Sequence, residues 1–134
     1  MQKVTHLNFS GFPGAGKTTI MGILKQKYKT VIIPKITTRP KRPIENGGEY
    51  IFTTMESFAR QKEKGEFIAI ESNIVDGIEH FYAIPETKIW PEIPETTELI
   101  LSAFGIYANE VKKFVPNIKT CFVTYKNMVI LLDR

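Results

Sequence analysis

Apolar and polar residues alternate over residues 3–10, KVTHLNFS, and this period of two predicts a β-strand that runs straight into a glycine-rich turn. From Thr18 to about Tyr28 the period changes. Ile20, Ile23, Leu24 and Tyr28 recur at helical spacing, with lysines on the other side. Residues 30–34, TVIIP, read as a short buried strand ended by Pro34. Residues 35–54 are dense in Pro, Gly and Arg. Pro40 and Pro43 forbid a regular helix there, and ENGGE is a turn signal before the strand YIFT. TMESFARQKEKGE predicts a helix ending near Gly65. The β-prone runs of residues 67–85 flank the turn Val75-Asp76-Gly77, which predicts an antiparallel ribbon. TELILSAFG then reads as a second buried strand, IYANEVKKFV as a helix, IKTCFVTY as a third strand, and KNMVILLDR as the opening of another helix.

Strand, helix, strand at the start and strand, helix, strand at the end imply right-handed βαβ connections. The fold class expected is α/β, a parallel core sheet flanked by helices. The middle third differs in kind and reads as an inserted small antiparallel lobe with its own helix, residues 36–88, between core segments 1–35 and 89–134.

The 134 residues suit a single domain, and 43% hydrophobic with 24% charged residues exclude a disordered chain. The net charge of +4 suits an anionic ligand, although a solvated lysine surface accounts for it equally. No arginine-rich tract with interleaved aromatics is present, so a nucleic-acid partner is not expected. The single cysteine, Cys121, rules out an internal disulfide and lies in an apolar run, as a buried inert thiol does. No run approaches the ~18 apolar residues of a membrane span, and no signal-peptide core precedes the first strand. A reducing, cytoplasmic setting without a membrane partner is expected, for a monomer or homodimer.

The turn after the first strand reads Gly11-Phe12-Pro13-Gly14-Ala15-Gly16-Lys17-Thr18-Thr19 and satisfies the Walker A pattern G-x-x-x-x-G-K-[ST] in full. Its glycines allow successive backbone N–H groups to point at phosphate oxygens, and the following helix offers unpaired N–H groups and the positive end of its dipole. Gly11, Pro13, Gly14, Ala15, Gly16, Lys17, Thr18 and Thr19 are therefore the candidate ATP-binding residues. Lys17 is placed to reach the terminal phosphates and Thr18 to coordinate Mg2+. The dinucleotide fingerprint G-x-G-x-x-G is not met, which disfavours hydride chemistry.

A Walker A loop alone does not separate kinases from GTPases or ATPases. The insert does more. TTRPKRP at residues 37–43, followed by NGGEYIF and by Gly65-Glu66-Phe67, resembles the corresponding stretch of the guanylate kinases. The resemblance extends in element order from the P-loop to the end of the chain and is specific over residues 36–67. It implies a P-loop NTPase-type core, with residues 36–88 as the lobe that binds a nucleoside monophosphate. It also implies that Arg39, Arg42 and Tyr50 hold the acceptor's phosphate, and two guanidinium forks in a proline-stiffened loop are independently suited to clamp a dianion. HFYAIP looks like a further family segment and makes Tyr82 a second acceptor candidate, with packing of the ribbon as its alternative role. The family's guanine-reading glutamate falls at Ala69, and the nearest carboxylate is Glu71. Either a gap gives Glu71 that role or the base preference has changed.

Two departures stand out. The family's D-x-D strand appears as Ile100-Leu101-Ser102, leaving Ser102 as the one polar residue near metal or acceptor. The helix expected at residues 126–134 would lead toward the family's lid, whose arginines steady the transferring phosphoryl group. Its absence reads as either a fragment or a minimised relative. The activity implied is transfer of the ATP γ-phosphate, with Mg2+, to a (deoxy)nucleoside monophosphate, GMP or dGMP first, with Lys17, Arg39 and Arg42 as the catalytic cations. The alternatives are a nucleotide-binding module with little turnover, and a P-loop kinase for another small phosphorylated substrate.

Overall fold

The computed structural model describes residues 4–11, 17–43, 48–123 and 128–131. The chain divides into two compact units: residues 1–33 with 91–134, and residues 34–90.

The first unit is built on a five-stranded sheet. Its strands are β1 (Thr5–Ser10), β2 (Thr30–Ile33), β7 (Leu99–Ser102), β8 (Lys119–Val123) and β9 (Met128–Leu131), in the order β2-β7-β1-β8-β9. Pairs β2–β7, β7–β1 and β1–β8 are parallel, and β8–β9 is antiparallel. One face of β1 is covered by helix α1 (Lys17–Lys27), where Phe9, Met21, Leu101, Cys121 and Val123 form the buried centre. The helix is the one expected, but its inner face differs. Met21 is buried with Ile20 and Leu24 beside it, while Ile23 and Tyr28 are exposed. Positions 20, 21 and 24 make the stripe, since residues three and four apart share a face.

Two other expectations are corrected here. Residues 128–131 form strand β9 rather than a helix, in keeping with a β-branched apolar run that shows no polar face at helical spacing. The helix expected over 106–115 reduces to a 3-10 turn, Gly105–Tyr107, and one α-helical turn, α3 (Ala108–Val111), before Pro116 intervenes.

The second unit is a four-stranded sheet carrying helix α2 (Met55–Glu63). The strands are β3 (Lys35–Thr37), β4 (Tyr50–Phe52), β5 (Phe67–Val75) and β6 (Ile78–Pro85), in the order β4-β3-β6-β5. The hairpin β5–β6 and the pair β3–β6 are antiparallel as expected, whereas β3–β4 is parallel, so the sheet is mixed. Asp76 and Gly77, at φ 53° and 78°, make the two-residue hairpin turn, which requires the left-handed region at both positions.

Helix α2 begins at Thr54, whose side chain accepts from Ser57 N–H at 3.1 Å. It ends in a Schellman motif: Gly65 N–H bonds the Lys62 carbonyl and Glu66 N–H bonds the Gln61 carbonyl, both at 3.1 Å, with Gly65 at φ 71°. The Gly65-Glu66-Phe67 motif is thus a helix stop and a strand start. Phe67 then packs on Phe58, ring centroids 4.8 Å apart, in a cluster of Ile36, Phe58 and Ala83 with Ile70 and Phe81.

Strand alternation gives this sheet two unlike faces. Ile36, Ile70, Phe81 and Ala83 turn to α2. The opposite face takes the residues between them: Lys35 and Thr37 of β3, Tyr50 and Phe52 of β4, Glu71 of β5 and Tyr82 of β6.

Candidate functional site

Gly11 closes β1, and its Cα has room for a hydrogen only. A Cβ there would stand 2.5 Å from the Val123 carbonyl oxygen at the end of β8. Lys17 opens α1, and its Nζ donates to the Gly11 carbonyl at 3.0 Å. Gly11 and Lys17 therefore bracket the Walker A loop and are joined across it. Thr18 and Thr19 are exposed on the first turn of α1. Pro13, Gly14, Ala15 and Gly16 lie outside the described residues.

Strands β1 and β7 share a buried polar network. Ser102, fully buried, donates its hydroxyl to Asn8 Oδ1 at 3.1 Å and lies 2.9 Å from His6 Nε2. With its proton given to Asn8, the hydroxyl accepts from His6, which places the imidazole proton on Nε2. Asn8 Oδ1 also accepts from Phe104 N–H at 2.7 Å, and Asn8 Nδ2 donates to the Gly105 carbonyl at 3.1 Å. Asn8 thus fixes the backbone that leaves β7. Burial lowers the His6 pKa to about 4 from its ordinary 6.5. Ser102, expected at the acceptor or metal, is instead spent inside the sheet: its hydroxyl already has both neighbours it needs. Burial also pushes the Cys121 thiol up, against a smaller opposing pull from Lys119.

The second unit assembles most of the acceptor candidates on one face. Thr37 Oγ1 donates to the Phe81 carbonyl at 2.9 Å, and Thr38 Oγ1 accepts from Phe81 N–H at 3.0 Å. The two threonines of TTR thereby pin the chain to β6 just before Arg39, whose own N–H donates to Thr37 Oγ1 at 3.1 Å. Arg39 is 8% exposed. Its guanidinium carbon lies 5.1 Å from the Tyr50 ring centroid and 5.5 Å from that of Phe52, and Nη1 donates to the Pro40 carbonyl at 3.1 Å. Stacking on two rings holds the planar fork in place where a flexible ammonium would wander.

The contacts continue along the face. Tyr50 meets Tyr82 edge-on at 6.1 Å, Lys35 Nζ lies 5.7 Å over the Tyr82 ring, and Lys35 Nζ approaches Glu71 Oε1 to 2.7 Å. Arg39, Tyr50, Tyr82 and Glu71 are thus one strip. Arg42 is exposed on the segment after Pro40. Thr37, Thr38, Phe52 and Lys35 were not singled out in the sequence. Thr37 and Thr38 had a usable signal, since threonines at a strand end often bond neighbouring backbone. Among the described residues no cluster of three or more His, Cys, Asp or Glu could hold a metal, and no helix is long and apolar enough to cross a membrane.

Comparison with known proteins finds guanylate kinases. The guanylate kinase of Thermotoga maritima is 35% identical over 126 residues, 92% of this chain and 59% of that protein. The guanylate kinase of Frankia casuarinae is 30% identical over 116 residues, 85% of this chain and 61% of that protein. A crystal structure of guanylate kinase from Anaplasma phagocytophilum superposes with a TM-score of 0.60 at 22% identity, covering 91% of this chain and 60% of its own, which speaks for the fold. No protein-family model matches the chain. The chain spans about three-fifths of the length of the curated relatives it matches. Across the span it shares with them, this chain is similar in sequence to guanylate kinases.

Proposed function

We propose that this chain is an ATP-dependent nucleoside monophosphate kinase, acting as a single guanylate kinase-like domain on GMP or dGMP in the cytoplasm, as a monomer or homodimer. The observation that carries the reading is Arg39, a buried guanidinium held over two aromatic rings, in a chain whose sequence carries a complete Walker A pattern and whose first helix opens with Lys17-Thr18. A rigid fork of this kind suits a phosphate dianion, and the Walker A loop supplies a second phosphate site.

In this reading Lys17 holds the β- and γ-phosphates of ATP, while Arg39, Arg42 and Tyr50 seat the acceptor's phosphate. An acceptor oxygen attacks the γ-phosphorus and ADP leaves. That oxygen is already anionic at neutral pH, so no protein base is needed. The protein supplies positioning and positive charge. Mg2+ fits the donors present: the exposed Thr18 hydroxyl offers one hard oxygen, and Mg2+ takes its remaining ligands from water and phosphates rather than from a protein cage. Bound there, the ion would neutralise charge on the β- and γ-phosphates.

One observation favours a second reading, a nucleotide-binding module with little turnover. Strand β7 offers Ser102 where the family carries aspartates, and its hydroxyl is committed to His6 and Asn8. The experiment that separates the two incubates the chain with ATP and Mg2+ against ribo- and deoxynucleoside monophosphates and follows ADP. Turnover with GMP or dGMP that Lys17→Ala abolishes is expected of the kinase. ATP binding without ADP formation on any acceptor supports the binding module.

A further inference from the structure

The two edge strands of the lobe's sheet, β4 and β5, differ in how they meet water. Strand β4 has three residues, a poor template for another strand, whereas β5 has nine. Over Phe67–Val75 there is no proline, lysine or arginine, and the one charge, Glu71, is bonded to Lys35 on the polar face. The irregularity of β5 lies between Phe67 and Ala69, which leaves 69–75 regular. Phe81 tells which backbone groups face outward. Its N–H donates to Thr38 Oγ1 and its carbonyl accepts from Thr38 N–H, so both point to the β3 side. Ser72, opposite Phe81, therefore turns its own N–H and carbonyl off the free edge, and Ile70 and Ile74 do so by alternation. Beyond Ser72 and Phe81 the hairpin runs on as two strands alone, with Ile74, Val75 and Ile78 exposed at 70%, 44% and 60%. A two-stranded ribbon is marginal in water by itself.

We propose that the free edge of β5 is a homodimer contact, pairing antiparallel with β5 of a second copy about a twofold axis at Ser72. Side-chain chemistry selects this register. With the axis at Ser72, Ile70 lies opposite Ile74 of the second copy, Glu71 opposite Asn73, and Ala69 opposite Val75. Apolar meets apolar, and each carboxylate meets an amide that can donate to it. The outward N–H and carbonyl groups of Ile70, Ser72 and Ile74 all find partners in the same register. Moving the axis to Glu71 sets two carboxylates face to face, and moving it to Asn73 sets Glu71 against Val75. Ser72 is also the midpoint of the regular span 69–75, so an axis there pairs the longest run. The contact covers Ile74 and Val75, widens the projecting ribbon to four strands, and closes at two copies because the same surface serves both. Nothing in this pairing depends on the chemistry of the acceptor site.

The test is sedimentation velocity on the full chain over a dilution series, with Asn73→Lys, Asn73→Glu and Ile74→Lys compared at matched concentrations. Positions 73 and 74 are exposed, so the variants should fold, and the thermal midpoint of each on dilution checks that they do. The native chain is expected to move between the mass of one copy and that of two. Asn73→Lys sets an ammonium against Glu71 of the second copy, twice over, and should tighten the dimer about tenfold. Asn73→Glu sets a carboxylate there and should weaken it by a similar factor. Ile74→Lys places a charge on the apolar pair at each end of the contact and should leave a single copy at every concentration. A native chain of one copy throughout overturns the proposal, as does an assembly that grows past two copies. A dimer that responds alike to Asn73→Lys and Asn73→Glu, or that survives Ile74→Lys, overturns it as well.

Discussion

Acid should unfold this protein through His6. The imidazole is 3% exposed, donates through Nε2 to Ser102, and sits edge-on to Phe104 at 6.1 Å. Burial holds its pKa at about 4 in the folded state, against an ordinary 6.5. Between those values the unfolded chain binds a proton that the folded chain does not, so falling pH favours unfolding. The stabilisation is complete above about 6.5 and is lost as pH falls toward about 4. At about 1.36 kcal/mol per pH unit, the gap corresponds to about 3 kcal/mol, a large share of the ~5–15 kcal/mol that holds a typical domain together. Urea unfolding at a series of pH values from 7.5 to 4 measures it, with His6→Gln as the reference, since glutamine keeps an N–H for Ser102 and does not titrate. The native chain should lose about 3 kcal/mol more than His6→Gln across this range. Curves that run parallel with pH would refute the assignment of a buried, neutral His6.

Other outcomes follow from contacts already described. Gly11→Ala places a methyl 2.5 Å from the Val123 carbonyl, and backbone rather than a flexible side chain must yield; the urea midpoint should fall by the equivalent of about 1–3 kcal/mol, and an unchanged midpoint would contradict the close approach. Arg39→Lys keeps the charge but loses the fork and the ring stacking, so GMP affinity measured by calorimetry should drop about tenfold, and native affinity would deny the clamp. Cys121 is 1% exposed with its thiol pKa raised, so a disulfide reagent should modify it only in urea; rapid labelling of the native chain would contradict its burial.

The elements carried by strong local signals were legible in the sequence. Asp76-Gly77 marked the hairpin, Gly65 the end of α2, and the strand–glycine loop–helix order the start of the core. Residues 128–131 were misread because a short apolar run without a polar face suits a strand or a helix, and pairing with β8 decides it. Ile23 and Tyr28 were misassigned to the inner face of α1 because Met21 completes the buried stripe with Ile20 and Leu24. At the site, Arg39, Tyr50 and Tyr82 could be named from motif position, and Glu71 only as the carboxylate nearest the motif position, which falls at Ala69. Their common face could not, since it depends on the register of four strands. The Lys35–Glu71 pair is of this kind, joining residues 36 apart in sequence through strand order alone. Ser102 shows the converse: a polar residue in a strand looked available for ligand, and only its neighbours His6 and Asn8 reveal that it is internally satisfied.

The central claim, that this chain carries phosphate from one nucleotide to another, is tested most directly by label transfer. The chain at stoichiometric concentration is mixed with ATP labelled in the γ-phosphate, Mg2+ and GMP, and the nucleotides are separated. The account predicts label appearing in GDP, lost in Lys17→Ala. Bound ATP with all label remaining in ATP or released as free phosphate would contradict it.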